Sequence, residues 1–304
     1  MVTCQNKRKN GEKNMNKKNV WLQKEAVTKI QTIVIAVIIV VAAFVAGFYT
    51  RSLIQPGAPE DIATVMWKEL QERGTIVVGS SPDWPPFEYL DPATGKFTGF
   101  EVELVEMIAA RLNLTVEWKE MGFETIIPTV QAKKIDMGVS GFSTKPERME
   151  LVQFTMPHSI TEGQVVMLKN RAEKLGITML GSLKELENLG LTCGTQVGTT
   201  QEDELSKAVP GVLRTYADFT LALADMKRGA IDSIYSETPI TSWWMLEAEQ
   251  KGEEPIVVVY KRAYWPVAWA VNLDNDIFVR KINGALAEII AEGTLDELKA
   301  KWHC

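Results

Sequence analysis

Histidine is nearly absent from this 304-residue sequence: there are two, His158 and His303, and neither has ligand-like neighbours. Cysteine is almost as sparse, with Cys4, Cys193 and Cys304 at spacings unlike any metal site. These two shortages exclude a histidine–cysteine metal centre, and no metal or cofactor is expected. An excess of positive charge is also missing from most of the chain. Residues 1–29 hold eight Lys/Arg and two Glu, whereas everything after them holds 25 Lys/Arg against 37 Asp/Glu. An acidic body of this kind argues against nucleic acid as a partner.

The net-positive stretch precedes an apolar run. Residues 30–50 carry no charge and are bounded by Lys29 and Arg51. As a helix the run would span about 31 Å, close to the hydrocarbon thickness of a bilayer. The apolar core of a removable signal is shorter, about 7–15 residues. The expectation is therefore an uncleaved transmembrane anchor over 30–50, with a cleaved signal as the alternative. The basic head, 1–29, would stay in the cytoplasm and the body would lie outside, at the outer face of the membrane or released from it. Met15 is an alternative start. Gln55-Pro56-Gly57-Ala58-Pro59 then reads as part of a linker over 51–60.

From Asp61 onward, short β-branched runs alternate with helical spacings, in two series. That alternation predicts βαβ units, largely parallel sheets and two α/β lobes. Ligands of such sheets sit at the carboxyl ends of strands, and between two lobes the cleft is the default site. Ser80 to Phe87, with three prolines, is expected to be irregular, and Ser182–Glu185 and Thr294–Glu297 are read as capping boxes. Cys193 and Cys304 fall in different lobes and are expected to be free thiols.

The stretch Asp136 to Arg148 draws most attention. Met137–Val139 reads as a buried strand, small residues follow, and Lys145-Pro146-Glu147 opens a helical turn. Arg148 then offers a planar fork of donors that matches a carboxylate. These residues alone fit either an anion clamp or a surface Arg paired with Glu147 or Glu150.

Wider spacing adds a resemblance. Gly74 to Gly79, Trp84-Pro85-Pro86-Phe87, Gly99 to Leu104, Phe123 to Pro128, Lys134-Ile135-Asp136, Ser143 to Arg148 and Gly198-Thr199-Thr200-Gln201 follow one another as in the polar amino-acid-binding proteins of ABC importers. The chain resembles that family over residues 62–302. The resemblance implies a two-lobe, hinged, type II periplasmic-binding-protein fold. It would make 61–168 with 270–304 lobe one and 169–269 lobe two, with crossings near Leu168–Asn170 and Ala268–Asn272. It implies a monomer that binds an amino acid or similar zwitterion and passes it to an ABC permease, without catalysis.

Residue roles follow from the same resemblance. Arg148 would bind the ligand carboxylate, aided by the backbone N–H of Ser143 and the helix start at Thr199 and Thr200. Ser140 would offer its carbonyl, and Glu237 its carboxylate, to the α-ammonium group. Trp84 and Phe123 would form aromatic walls, though core packing is an equal expectation for Phe123. Four positions depart from the family pattern. Glu237 replaces an Asp, Ser81 replaces an acid that recurs two residues later as Asp83, and Lys145 replaces a Thr, while Gly141 stands where some members hold a hydroxyl. Trp243, Trp244, Trp265 and Trp269 are expected in core or hinge, with a cation–π contact to ligand as the alternative. A related enzyme class, the cyclohexadienyl or arogenate dehydratases, would need a general acid, for which Glu237 or Glu162 could be proposed.

Overall fold

The computed structural model describes residues 61–304 and the single position Ile39. Apart from Ile39, the expected head, anchor and linker lie outside these residues. Among the described residues no helix is long and apolar enough to cross a membrane.

Two five-stranded sheets organise the body. The first has the order β5-β1-β6-β13-β7, from Thr115–Glu120, Thr75–Ser80, Met137–Gly138, Ala270–Val271 and Gln153–Phe154. The second has the order β10-β9-β11-β8-β12, from Leu213–Tyr216, Cys193–Gln196, Ser233–Glu237, Ser159–Leu168 and Ile256–Val267. Within each sheet the three strands joined through helices pair in parallel, as right-handed βαβ crossovers require. The two remaining strands of each sheet pair antiparallel. They are the strands that carry the chain between lobes.

The crossings follow from this topology. The chain leaves the first sheet after Phe154 and enters the second at Ser159; it returns between Val267 and Ala270. The first crossing therefore falls ahead of the expected Leu168–Asn170, because Ser159–Leu168 already pairs with both Ser233–Glu237 and Ile256–Val267. The two crossings bond to one another: Thr155 N–H donates to Trp269 O and His158 N–H to Val267 O.

A third, three-stranded sheet, Asp83–Trp84, Glu88–Leu90 and Phe97–Thr98, sits on lobe one. It includes part of the stretch expected to be irregular, since Asp83 and Trp84 pair with Tyr89 and Glu88. One apolar cluster runs from Phe278 and Ile282 of lobe one through Trp84 to Phe219 and Trp244 of lobe two. The far faces of the two sheets have smaller cores, one around Ile126, Val130 and Phe142, the other around Leu186, Leu205 and Tyr235. Cys193 and Cys304 are free thiols, Cys193 within the lobe-two core.

Candidate functional site

A small cavity lies between the lobes. Lobe one contributes Asp83, Trp84, Phe123, Ser140, Gly141, Ser143 and Arg148 to its walls. Lobe two contributes Gln196, Thr199, Thr200, Gln201, Phe219, Ser236 and Glu237. Most of these sit just past the carboxyl ends of parallel strands or at the first turn of the helix that follows, where backbone groups are unpaired.

Arg148 is placed by a single helical turn, Pro146–Met149, which Pro146 can open at no cost because its missing N–H has no partner there. Its Nη1 donates to Ser143 O at 3.1 Å and its Nη2 to Gly198 O, across the cleft, at 3.1 Å. The guanidinium carbon lies 5.4 Å from the ring centres of Phe123 and of Phe142, which stack on each other. Burial lowers the guanidinium to about 10, against the raising fields of Glu237, Asp203 and Glu147. Among the described residues Arg148 is in no ion pair; its hydrogen bonds go to neutral carbonyl oxygens.

Glu237 faces it from the end of β11. Its Oε1 accepts from Gln201 Nε2 at 2.7 Å and from Ser143 Oγ, across the cleft, at 3.2 Å; its Oε2 accepts from Thr161 Oγ1. The extra methylene relative to Asp is what lets this carboxylate reach the opposite lobe. Thr199 is a helix N-cap, accepting from Glu202 N–H and donating to Gln196 O. Thr200 Oγ1 and Ser236 Oγ are buried without a hydrogen-bond partner, so two hydroxyls of the cavity wall are left to a ligand.

Two glycines set how closely the walls approach. Gly141 has φ +57°, and a Cβ there would fall 2.2 Å from a ring carbon of Trp84. Gly198 has φ +78°, and a Cβ there would fall 2.8 Å from Cβ of Glu124 on the other lobe. Side chains at either point would part surfaces that are now in contact.

Ser81 does not line this cavity. Its Oγ donates to Asp83 Oδ1 at 2.7 Å, and Asp83 Oδ2 in turn accepts from Phe219 N–H at 2.8 Å and Gln196 Nε2 at 3.0 Å, both in lobe two. The acid displaced by two residues thus occupies the first turn of the helix Phe219–Lys227, where a negative charge is favoured. Burial raises the Asp83 carboxyl, opposed by those hydrogen bonds. Asp83, Gln196, Gln201, Phe219 and Ser236 are wall residues that sequence reasoning missed; only their place at strand ends and helix starts signals them.

Trp243, Trp244, Trp265 and Trp269 do not line the cavity. Trp244 packs on Phe219, Trp243 on Tyr89, and Trp265 beneath Arg262. Trp269 is fully buried at the hinge, stacked on His158. Glu162 is also outside the wall, bonded to Gln164 and Lys261.

Behind the lobe-one wall lies a buried acid pair. Ser140 Oγ accepts from Ser81 N–H and donates to Glu88 Oε1, and Glu88 is wholly buried beside Glu101. Burial first, then the charge of Glu101, raises the Glu88 carboxyl well above its ordinary value. Folding therefore holds a proton that the unfolded chain releases near pH 4.5. The stability this gives is full below that pH and is lost as pH rises through the folded value. Urea midpoints measured against pH should fall on the alkaline side for the wild type, and Glu88→Gln, which cannot ionise, should flatten that limb.

Two lobes joined by paired crossing strands, with a polar and aromatic cavity between them, define a hinged small-molecule-binding protein. Comparisons agree. The bacterial extracellular solute-binding proteins, family 3, match residues 76–304, and the chain belongs to that family. The L-cystine-binding protein TcyJ of Escherichia coli (strain K12) is 28% identical over 269 residues, 87% of this chain and 92% of that protein. An ancestral arginine-binding protein, solved with arginine, is 30% identical, with a TM-score of 0.68 over 76% of this chain and 98% of its own. An ancestral amino acid-binding protein described as a precursor of cyclohexadienyl dehydratase is 26% identical, with a TM-score of 0.69 over 78% of this chain and 99% of its own.

Proposed function

We propose that this chain captures an amino acid, or a similar small zwitterion, outside the cytoplasm and delivers it to an ABC permease. The observation that carries the reading is the buried Arg148 guanidinium, which opens on an interlobe cavity and has no carboxylate within ion-pair distance among the described residues. A ligand carboxylate would supply the missing partner, and Thr200 N–H and Oγ1 would meet the same group from lobe two. Glu237 and the Ser140 carbonyl would take the α-ammonium group. Trp84, Phe123 and Phe219 would enclose the side chain. Because such a ligand touches both lobes only when they are together, binding would select the closed form, which the permease would read. The names of the relatives, arginine- and cystine-binding proteins among them, support an amino acid as cargo.

An expected anchor at 30–50 would hold the protein at the outer face of the membrane as a monomer. Native mass spectrometry of the purified protein should show a bound small molecule with the mass of an amino acid, and calorimetry should reproduce its binding. Absence of binding across the common amino acids would sink the proposal. A dehydratase reading finds little support in the cavity. Glu162 is outside it, and Glu237 is held as an acceptor by three donors. Incubation with prephenate or arogenate should yield no product absorbance.

A further inference from the structure

Three of the four departures from the family pattern share one property in the structure: each ends in a bond from lobe one to lobe two. Glu237 meets Ser143, the Ser81–Asp83 pair meets Phe219 N–H and Gln196, and Lys145 Nζ meets Asp203 Oδ2 at 2.6 Å. Glu237 and Asp83, in the first two, belong to the cavity wall. The third does not, since neither Lys145 nor Asp203 lines it.

We propose that Lys145 is a positioning residue that acts through Asp203 to hold the lobes together before any ligand arrives. Lys145 is the N-cap of the helical turn that carries Arg148, and its own backbone is fixed there by bonds to Ser143 O and from Arg148 N–H. Its side chain is only 10% exposed, so its ammonium has given up most of its water, whereas Asp203 keeps 56% exposure. A cation so placed is poorly served if the lobes part, unless it swings back into solvent. Asp203 sits in the first turn of the helix Thr200–Ala208 whose start forms the lobe-two wall, so the bond ties two wall-bearing elements together. The field of Asp203 also reaches Arg148, and Lys145 neutralises it next to the candidate anion site. Without Lys145 an unpaired negative charge would face the place where a carboxylate is to bind.

Two consequences follow for the ligand-free protein. A fraction of it is already closed, and the conformational cost of binding is lowered by that fraction. The closed fraction is also sensitive to salt, because half of the pair is exposed to ions.

The test needs no ligand, so its failure is distinct from a failure of the proposed function. Dyes on the exposed positions Gln131 of lobe one and Glu249 of lobe two would report the lobe separation of the full chain by single-molecule energy transfer. The wild type should populate a closed state at low salt and open as salt is added. Lys145→Met should shift the open-to-closed ratio by about two- to fivefold toward open, as expected for a pair worth up to about 1 kcal/mol, and should lose most of the salt response. Asp203→Asn should do the same. The charge swap Lys145→Glu with Asp203→Lys should return the ratio toward the wild type, which a role in local folding alone would not produce. A Lys145→Met protein with the wild-type ratio and wild-type salt response would overturn the assignment. So would a charge-swapped protein as open as the single variants.

Discussion

Arg148→Ala is expected to lose ligand affinity while keeping its fold. The guanidinium is desolvated by the lobes, and its hydrogen bonds to Ser143 O and Gly198 O leave the remaining donors for the cavity. Burial lowers it to about 10, despite the opposing fields of Glu237, Asp203 and Glu147. On the proposed reading a ligand carboxylate would relieve the burial, and truncation would leave that carboxylate without its partner. Removing one member of such a pair costs about 2–5 kcal/mol, or roughly thirty- to four-thousand-fold in Kd. The ligand-free protein should respond in the opposite sense. Deleting a buried cation that lacks an ion pair removes an unfavourable term, so thermal stability without ligand should change little. Arg148→Lys should rescue poorly, because a single ammonium cannot present two parallel donors while stacked on Phe123 and Phe142. Calorimetry and a thermal melt of each variant give both readouts. Wild-type affinity in Arg148→Ala would remove the carboxylate-binding role from this residue.

Local patterns in the sequence account for much of the fold. Gly74 ends its helix in the left-handed conformation, as its position after a periodic run predicts. Arg148, Glu237, Thr199 and Thr200 stand beside strand ends or helix starts that the alternation of apolar runs already marks. The first crossing is different. Ser159-Ile160-Thr161-Glu162-Gly163-Gln164 has Ile160 as its one large apolar residue and does not read as a buried strand. Thr161 and Gln164 are nonetheless buried, because Glu237 and Thr241 satisfy them from another element. Such partners are unknown until the long-range pairing is known. The same limit hid Asp83, whose partners Gln196 and Phe219 come from the other lobe. Capping was misplaced for a local reason. The helices Lys184–Asn188 and Thr294–Trp302 start without a side-chain cap: Gly293 turns the second one in, and Glu185 caps the N–H of Gly181 instead. Thr199 and Asp218 do cap, in two of the helices whose first turns line the cavity.

Glu101→Ala should be the most destabilising single change in the body of the protein, and it should act on the hinge and the candidate site together. Glu101 is wholly buried. One oxygen accepts from Trp269 Nε1 at 3.0 Å and lies 2.7 Å from His158 Nε2; the other accepts from Gly141 N–H at 3.0 Å. His158 and Trp269 belong to the two crossing segments, and Gly141 to the cavity wall. A single carboxylate therefore joins both inter-lobe connections to the loop that carries Ser140 and Ser143. Burial alone would raise this carboxyl, but His158, Glu88 and the Gly141 N–H together outweigh it and leave it below the usual range. The sign of the pH effect follows: this contribution is present above the ordinary carboxylate value and is lost as pH falls through the lowered one, opposite to that of Glu88. Truncation strands two buried donors and a buried imidazole. Breaking a buried arrangement of this kind costs about 3–5 kcal/mol, which for a domain of this size is roughly 6–20 °C in Tm. Glu101→Gln keeps the volume but turns a donor toward groups that are themselves donors, so it should recover only part of the loss. A melting temperature within a degree or two of the wild type for both variants would show that the crossings are held by packing around Trp269 alone. A large loss in both would make this carboxylate the tie between hinge and cavity.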